Sequence, residues 1–290
     1  MSGPGGTSSE TLATTPCLFC GTSARARHLF TLTRPVFRCS CGLVYTLPMT
    51  RAQAATGYTE TYYHGQVYPD YVRDRAAIRR NARRVLGELE EFVAGRRLLD
   101  VGCAHGFYLE AARDRGWTVR GLELSEYAAG YARRELGLDV DAVSIATPPA
   151  NLGVFDAVMM WDVLEHLDRP DLALATVREH LHPEGRLVLS TGDYRSVLQR
   201  LVGRRWRIFS DPTHMFFFDA RTVTRLLTDA GFEVLSLSRR GKYVSLAMSL
   251  HQSPLPGAAR LIRWLERRHW QPSLYVNLWD MMTVVARPHV

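Results

Sequence analysis

Lysine is almost absent from this 290-residue chain: Lys242 is the only one, so arginine supplies nearly all the positive charge behind a formal net charge of +7. A basic chain can bind nucleic acid through a concentrated positive surface. Here the arginines are spread over many segments and form no stripe, which is typical of an ordinary solvated surface. We therefore do not expect a nucleic-acid partner.

Long apolar runs are also absent, and none approaches the roughly 20 residues that a membrane-spanning helix needs. The first sixteen residues, MSGPGGTSSETLATTP, are small and polar and lack the apolar centre of a signal peptide. We predict a disordered tail over residues 1–16, a cytoplasmic location and no membrane partner. The oligomeric state leaves no mark in the sequence.

Cysteine is scarce, and four of the five cysteines fall in two close pairs near the N-terminus. They are Cys17, Cys20, Cys39 and Cys41. Tight pairs in such a chain indicate a metal site rather than a disulfide framework. We predict a zinc knuckle over residues 17–50, because thiolates bind Zn²⁺ tetrahedrally. A segment this small has little hydrophobic core, and a bound metal would stabilise it. The second pair is one residue tighter than usual, which leaves two alternatives: replacement of one ligand by His28, or a degenerate site without metal.

A tyrosine-rich stretch and a helical pattern follow this segment. The aromatic cluster comprises Tyr58, Tyr62, Tyr63 and His64. Apolar residues then recur at helical spacing, and Gly95 is a helix stop signal. The apolar positions are Ile78, Val85, Leu86, Leu89 and Phe92. We predict a helical lid over residues 51–96.

Strand-like apolar runs alternate with helical patterns from residue 97 to the end. This alternation predicts an α/β fold with a mostly parallel sheet and helices on both faces. We expect seven strands in this sheet. Six of them are assigned to residues 97–101, 118–122, 157–161, 186–191, 233–237 and 281–286.

The first of these strands runs into the turn GCAHG at residues 102–106. A dinucleotide fingerprint needs a third glycine where this chain has Phe107, and Asp100 would repel a phosphate. S-adenosylmethionine (SAM) has no phosphate but carries an ammonium group, which a carboxylate can pair with. Glu123, at the end of the next strand, can accept hydrogen bonds from the ribose hydroxyls. The pattern therefore favours SAM over a dinucleotide.

Four segments, LLDVGCAHG, GLELS, FDAVMMWDVLEHL and LHPEGRLVLST, follow one another before residue 192. In this order and spacing they resemble the motifs of class I SAM-dependent methyltransferases, with Ala104 in place of the usual glycine. The resemblance implies a Rossmann-like methyltransferase domain over residues 97–290. It also implies a tyrosine lid over the cofactor, with ordinary packing as the alternative role of the tyrosines. The cofactor-binding residues it implies are Asp100, Gly102, Cys103, Gly106, Glu123, Leu124, Ser144, Trp161, Tyr62 and Tyr63.

The acceptor side is predicted where a later strand ends, in the segment WDVLEHL. If a helix begins near Asp162, then Asp162, Glu165 and His166 share one face. His214 follows in a segment, residues 192–218, that we predict to cap the active site. These residues resemble the metal-binding pattern of ubiquinone-pathway O-methyltransferases and small-RNA 2′-O-methyltransferases, which hold a divalent cation such as Mg²⁺ or Zn²⁺. The alternatives are a metal-free histidine base and a structural role, which for Asp162 is helix capping.

The order of cysteine pairs, tyrosine lid and cofactor motifs is similar to that of bacterial methyltransferases in natural-product, sugar or polysaccharide pathways. This resemblance implies methyl transfer to a hydroxyl group of a small molecule. His166 and His214 are then the catalytic candidates, supported by Glu165 and Asp162. Four alternatives stay open: C-methylation, N-methylation, RNA 2′-O-methylation, and a repurposed SAM-fold protein.

An aromatic run, MFFF at residues 215–218, lies close to this predicted acceptor site. Together with Trp206 and Phe209 it has two interpretations. These side chains either line an apolar wall for a ring or an acyl chain, or they pack the core.

Overall fold

The fold is described from a computed structural model. It covers residues 16–23, 26–47, 58–66, 68, 70–251, 253, 255–268 and 270–289. The predicted disordered tail lies outside the described residues, apart from Pro16. The start of the predicted lid, residues 51–57, lies outside them too.

Thirteen strands occur in the described part of the chain, in three sheets. They are β1 (Ala26–Thr31), β2 (Pro35–Cys39), β3 (Val44–Thr46), β4 (Arg97–Val101), β5 (Thr118–Leu122), β6 (Val140–Asp141), β7 (Phe155–Trp161), β8 (Leu181–Gly192), β9 (Phe216–Phe217), β10 (Phe232–Ser238), β11 (Lys242–Ser245), β12 (Ser273–Val276) and β13 (Met281–Pro288). Strands β11 and β12 form a small antiparallel pair.

The predicted seven-stranded sheet forms the centre of the protein, with strand order β10-β13-β8-β7-β4-β5-β6. Strands β4 to β8 are parallel, whereas β13 runs antiparallel to both of its neighbours. All six assigned strands are confirmed. The seventh, β6, is only two residues long and therefore too short to produce an apolar pattern in the sequence.

Eight α-helices occur in the described part of the chain. They are α1 (Arg75–Leu89), α2 (Phe107–Arg113), α3 (Glu126–Leu136), α4 (Pro170–Glu179), α5 (Val197–Val202), α6 (Ala220–Asp229), α7 (Leu246–His251) and α8 (Ala258–Arg267). The predicted lid helix is α1, but it ends at Leu89 and not at Gly95. Phe92 therefore lies beyond the helix and is 62% exposed. Glu90 follows the last residue of the helix, and its carboxylate accepts from Arg115 and from the indole nitrogen of Trp117.

A second sheet joins two segments that are far apart in the sequence. Strands β1, β2 and β3 form an antiparallel meander, and β9 is the fourth strand of this sheet. Cys39 and Cys41 lie in the meander, and Cys17 and Cys20 lie in the turn that precedes β1. Strand β9 belongs to residues 192–218, the predicted cap. The predicted cysteine element and the predicted cap thus share a sheet through the last part of the cap, where Val44 pairs with Phe217 and Tyr45 with Phe216.

The aromatic run supports the packing interpretation and not the acceptor wall. Trp206, Phe209 and the side chains of residues 215–218 are all buried in apolar clusters of the core. The indole nitrogen of Trp206 donates to Asp280 at 2.9 Å, which satisfies the one polar atom of that side chain.

Within the described ranges, no helix combines the length and the apolar character that crossing a bilayer requires.

Candidate active site

The candidate site lies at the carboxyl ends of β4, β5, β7 and β8, where crevices of parallel α/β sheets bind ligands. The turn after β4 brings the backbone close to its neighbours at two glycines. Gly102 has φ +73°, and a β-carbon there would lie 2.5 Å from Val163. Gly106 has φ +80° and precedes the first residue of α2. Between them, Ala104 adopts a left-handed φ of +48°, which is unfavourable for any residue with a β-carbon.

Glu123 closes this turn from the adjacent strand. Its buried carboxylate accepts hydrogen bonds from the main-chain N–H groups of Ala104 and Ser125, both at 2.8 Å. Burial raises the pKa of Glu123. Burial, and then the charge of Glu123, raise the pKa of Asp100. A carboxylate has about four acceptor positions, so Glu123 can still accept from a ligand hydroxyl.

Three further residues predicted to bind the cofactor differ in the burial and the contacts of their side chains. The side chain of Cys103 is buried in the core against α2, so only its backbone faces the turn. Leu124 is exposed. The hydroxyl of Ser144 accepts from the N–H of Ala146 at 3.2 Å and thus stabilises its own loop.

The tyrosines of the predicted lid pack onto the glycine turn. Tyr62 and Tyr63 are buried in an irregular helical turn, Tyr62–Gln66. The ring of Tyr63 lies 4.7 Å from that of His105, whose two nitrogens are buried without a partner in the described residues. Burial lowers the pKa of His105 to about 4, so this imidazole is neutral. The contact is consistent with both interpretations of the tyrosines, a lid over the cofactor and ordinary packing.

The chain does not begin a helix at Asp162, so that prediction is wrong. Asp162 has a left-handed φ of +57°, and only a short 3₁₀ turn, Leu164–His166, follows. The carboxylate accepts from the hydroxyl of Ser190 and lies 3.3 Å from the ammonium of Lys242. Burial opposes ionisation, but Lys242 and Ser190 outweigh it and lower the pKa of Asp162. The carboxylate of Asp162 therefore binds Ser190 and Lys242, and it does not cap a helix.

Trp161, which precedes Asp162, packs its indole against Tyr108 of α2, with ring centroids 5.4 Å apart. It lies at the carboxyl end of β7, next to the glycine turn that follows the neighbouring strand β4. This is the position that the resemblance implies for the methionine end of the cofactor.

Three of the four predicted acceptor residues form a compact group. Glu165, His166 and His214 each offer one ligand atom within 4.8 Å of the others, and Asp162 is not among them. The two imidazole rings have centroids 4.5 Å apart. The main-chain N–H of Met215 donates to the carbonyl of Glu165 at 2.8 Å, which fastens the His214 segment to the 3₁₀ turn.

Hydrogen bonds assign the same tautomer to both histidines. Nδ1 of His214 lies 2.6 Å from the carbonyl oxygen of Ile208, which can only accept, so this nitrogen carries the proton. The hydroxyl of Thr213 donates to Asp211 at 2.5 Å and therefore accepts from Nδ1 of His166 at 2.9 Å. Nε2 of each ring thus keeps its lone pair.

Burial dominates the pKa values in this group. It raises the pKa of Glu165 to about 8, and the charge of Asp162 adds to the effect. It lowers the pKa of His166 to about 3, with His214 as the next contribution. Oε2 of Glu165 has no hydrogen-bond partner in the described part of the chain. Such a buried oxygen is costly unless it binds a proton, a cation or a ligand.

The four N-terminal cysteines also converge, with their sulfurs within 4.8 Å of one another. Sγ of Cys17 lies 3.5 Å from that of Cys41, and Sγ of Cys20 lies 3.4 Å from that of Cys39. Four sulfurs around zinc at about 2.3 Å would lie about 3.8 Å apart, so this arrangement fits the metal. His28 is not part of the group, because its Nε2 is bound to the hydroxyl of Thr31 at 2.9 Å. The tight second pair is accommodated by Gly42, whose φ is +102°.

Sequence reasoning missed several polar contacts around the candidate acceptor site. Tyr58 was assigned only to an aromatic cluster, but its hydroxyl lies 3.1 Å from Nδ1 of His166, and its carbonyl accepts from Ser125 at 2.6 Å. Asp211 stands three residues before His214 in the segment DPTH, a spacing that could have indicated a shared site. Lys242 could have been singled out as the only lysine.

Comparisons with known sequences agree with this geometry. The chain matches the methyltransferase domain family over residues 71–237. A ubiquinone biosynthesis O-methyltransferase from Azoarcus sp. (strain BH72) is 34% identical over 161 residues, which cover 50% of this chain and 68% of that protein. A protein of the same name from Thiobacillus denitrificans is 32% identical over 158 residues, again 50% of this chain and 68% of its own.

Solved structures share the fold at low sequence identity. A magnesium protoporphyrin IX methyltransferase from Synechocystis with bound SAH (S-adenosylhomocysteine) has a TM-score of 0.54 and 15% identity, and covers 82% of this chain and 100% of its own. A glycopeptide N-methyltransferase complexed with sinefungin has a TM-score of 0.50 and 17% identity, over 73% and 87% of the two chains. The sheet order, the glycine turn, the acid after β5 and the family match agree, and the chain belongs to the class I SAM-dependent methyltransferases.

Proposed function

We propose that this enzyme transfers the methyl group of SAM to a hydroxyl oxygen of a small molecule, with Glu165, His166 and His214 facing the acceptor. The observation that carries this proposal is the tautomer of the two histidines. Their Nδ1 hydrogens are engaged by Thr213 and Ile208, which leaves two Nε2 lone pairs beside a buried carboxylate. A hydroxyl group must lose its proton as it attacks the methyl group, and the lone pair of His214 can take that proton, whereas burial lowers the pKa of His166 too far for an effective base.

The same residues fit a divalent cation. One carboxylate oxygen and two imidazole nitrogens are a common ligand set for such ions. The unpartnered Oε2 of Glu165 is an atom that a cation would satisfy. When bound, a cation would lower the pKa of the acceptor hydroxyl. The carbonyl of Ile208 would then keep His214 in its orientation, as outer hydrogen bonds do for metal-bound histidines.

Oxygen as the acceptor atom has further support from the curated relatives, which are named as O-methyltransferases. The acceptor itself, and its pathway, are not specified by these names for this chain. A small molecule is favoured over RNA because the curated relatives are named for the biosynthesis of ubiquinone, a small molecule.

The test is a methyl-transfer assay with SAM and a set of phenols, catechols, amines and carbon nucleophiles, analysed by mass spectrometry. We expect methyl ethers as the products. Methylation of amines or carbon acceptors alone would overturn the proposal. Chelation under conditions in which the zinc of the four thiolates is retained, followed by readdition of Mg²⁺ or Zn²⁺, distinguishes an active-site cation from a metal-free histidine base. Only an enzyme that uses the cation should then lose turnover and recover it.

We further propose that the four N-terminal thiolates hold one structural zinc ion. The convergence of the sulfurs supports this assignment, and so does the small size of the β1–β3 meander, which needs additional stabilisation. The site would keep β3 in place to pair with β9.

A further inference from the structure

We propose that the insertion between β10 and β13 carries a surface that binds the face of an anionic phospholipid bilayer. The surface consists of α8 and Trp270 and is called the Trp–Arg surface below. The predicted lack of a membrane partner rested on the absence of an apolar span. That absence does not exclude a helix that lies on a bilayer instead of crossing it.

The apolar side chains of this surface are unusually exposed. Trp264 is 45% exposed, Trp270 is 56% exposed and Leu261 is 42% exposed, and the two indole rings lie 6.3 Å apart. Leu265, on the same helix, is buried. The helix therefore packs on the protein through Leu265 and exposes Trp264 to solvent, and Trp270, which follows the helix, is exposed beside it. Tryptophan is enriched where proteins meet the headgroup layer, because its ring is apolar and its N–H is polar.

Positive charge accompanies these tryptophans. The helix and its next residue carry Arg260, Arg263, Arg267 and Arg268. Within the described part of the chain, no carboxylate pairs with any of these four guanidinium groups, and that of Arg268 lies 5.6 Å from the ring of Trp264. The stretch from residue 258 to residue 270 has a single acid, Glu266. Such a surface attracts an anionic leaflet, where each basic residue adds to the binding.

A bilayer fits this surface better than a second copy of the chain does. A symmetric dimer through α8 would bring the arginines of both copies together, and like charges repel. Single-stranded RNA also combines phosphates with stacking bases, so RNA binding is an outcome that the experiment must separate from lipid binding.

The insertion borders the candidate active site at its first strand. Lys242, the first residue of β11, reaches Asp162 at the end of β7. Strand β11 also packs against α1 and α7, and α7 packs against α8. A contact between the Trp–Arg surface and a bilayer would therefore act on a segment that is connected to the site.

The test measures partition of the full-length protein onto vesicles by co-sedimentation. We expect at least about tenfold stronger binding to vesicles that contain phosphatidylglycerol than to phosphatidylcholine alone, and loss of this preference at high salt. The double variant Trp264→Ala/Trp270→Ala and the triple variant Arg260→Gln/Arg263→Gln/Arg267→Gln should each bind about tenfold more weakly. The control is Leu172→Ser, a 53% exposed leucine of α4, which should bind like the parent.

Tryptophan fluorescence gives a second readout. Brominated lipids should quench the emission of the parent protein and quench the double variant much less. Circular dichroism and thermal melts of each variant verify that it is folded. The proposal is overturned if binding is equal for both lipid compositions, or if folded variants bind like the parent. It is also overturned if the same substitutions abolish RNA binding or dimerisation while vesicles are not bound.

Discussion

The guanidinium group of Arg34 donates a hydrogen bond to the main-chain carbonyl of His214 at 2.8 Å. It also donates to the carbonyl of Pro212, and its other terminal nitrogen donates to that of Leu47 at 2.7 Å. Arg34 lies in the turn between β1 and β2, so one side chain connects the cysteine meander to the candidate acceptor site. Together with the pairing of β3 and β9, it holds the His214 segment at two points.

We expect Arg34→Gln to lower kcat about ten- to hundredfold, because a small displacement of a positioned group has effects of this size. The KM for SAM should change little, since Arg34 has no contact with the glycine turn. Steady-state kinetics would measure both. The control is Arg38→Gln, an exposed position of the same meander, which should leave kcat unchanged. Equal losses in the two variants would contradict the positioning role.

Removal of the proposed zinc ion should loosen the meander and β9 without disturbing the central sheet. Cys41→Ser is expected to abolish a metal content of about one zinc per chain. Hydrogen exchange should accelerate in β2, β3 and β9 and stay slow in β4 and β7. His28→Ala should retain the metal, because His28 lies outside the thiol group. A parent protein without zinc, or retention of zinc by Cys41→Ser, would refute the assignment.

The substitution His214→Asn tests whether the side chain of His214 acts as a base, because it keeps the hydrogen bond that positions the side chain and removes the basic nitrogen. The amide nitrogen of asparagine can still donate to the carbonyl of Ile208, whereas Nε2 and its lone pair are lost. We expect kcat to fall about 10²- to 10⁴-fold, as is usual when a general base is removed. SAM affinity, measured by calorimetry, and the melting temperature should remain close to those of the parent. Activity within a few-fold of the parent would show that His214 does not touch the reacting groups.

Ala104→Gly should stabilise the protein. The left-handed φ of +48° costs alanine about 1–2 kcal/mol, which glycine avoids, although glycine loses more entropy on folding. We expect a net gain of about 0.5–1 kcal/mol in the free energy of unfolding, measured with urea. Ala146→Gly is the matched control: this exposed alanine does not have a positive φ, so the substitution should destabilise the fold.

The raised pKa of Asp74 should make the free energy of unfolding depend on pH. Burial raises its pKa to about 6 in the folded protein, against an ordinary value of 3.8. A raised carboxyl pKa gives stability that is fully present below the unfolded pKa and is lost as the pH rises through the folded pKa. We therefore expect Asp74 to lower the free energy of unfolding by about 2–3 kcal/mol between pH 4 and pH 7. Asp74→Asn should reduce the measured change by this amount and leave the contribution of other buried carboxyls with a raised pKa, such as Glu165, as measured by urea titrations at several pH values.

The sequence predicted those parts of the fold whose apolar pattern extends over enough residues to be recognised. Central-sheet strands of five residues or more and the helix α1 produced clear periodicity, and the four motif segments indicated the methyltransferase family, which is confirmed. Strand β9 has two residues, so its pairing with β3 left no pattern. The helix predicted from Asp162 failed because this residue adopts a left-handed φ and binds Lys242, a contact between distant segments. Local spacing cannot report such contacts.

The pairing of β3 with β9 also sets an order of events during synthesis. The meander leaves the ribosome early, but the strand that covers its edge follows roughly ten to thirty seconds later at ordinary elongation rates. Until then β3 presents an unpaired edge, which can pair with other chains. Newly made molecules therefore have a window in which aggregation competes with completion of the sheet, and slower translation would widen it.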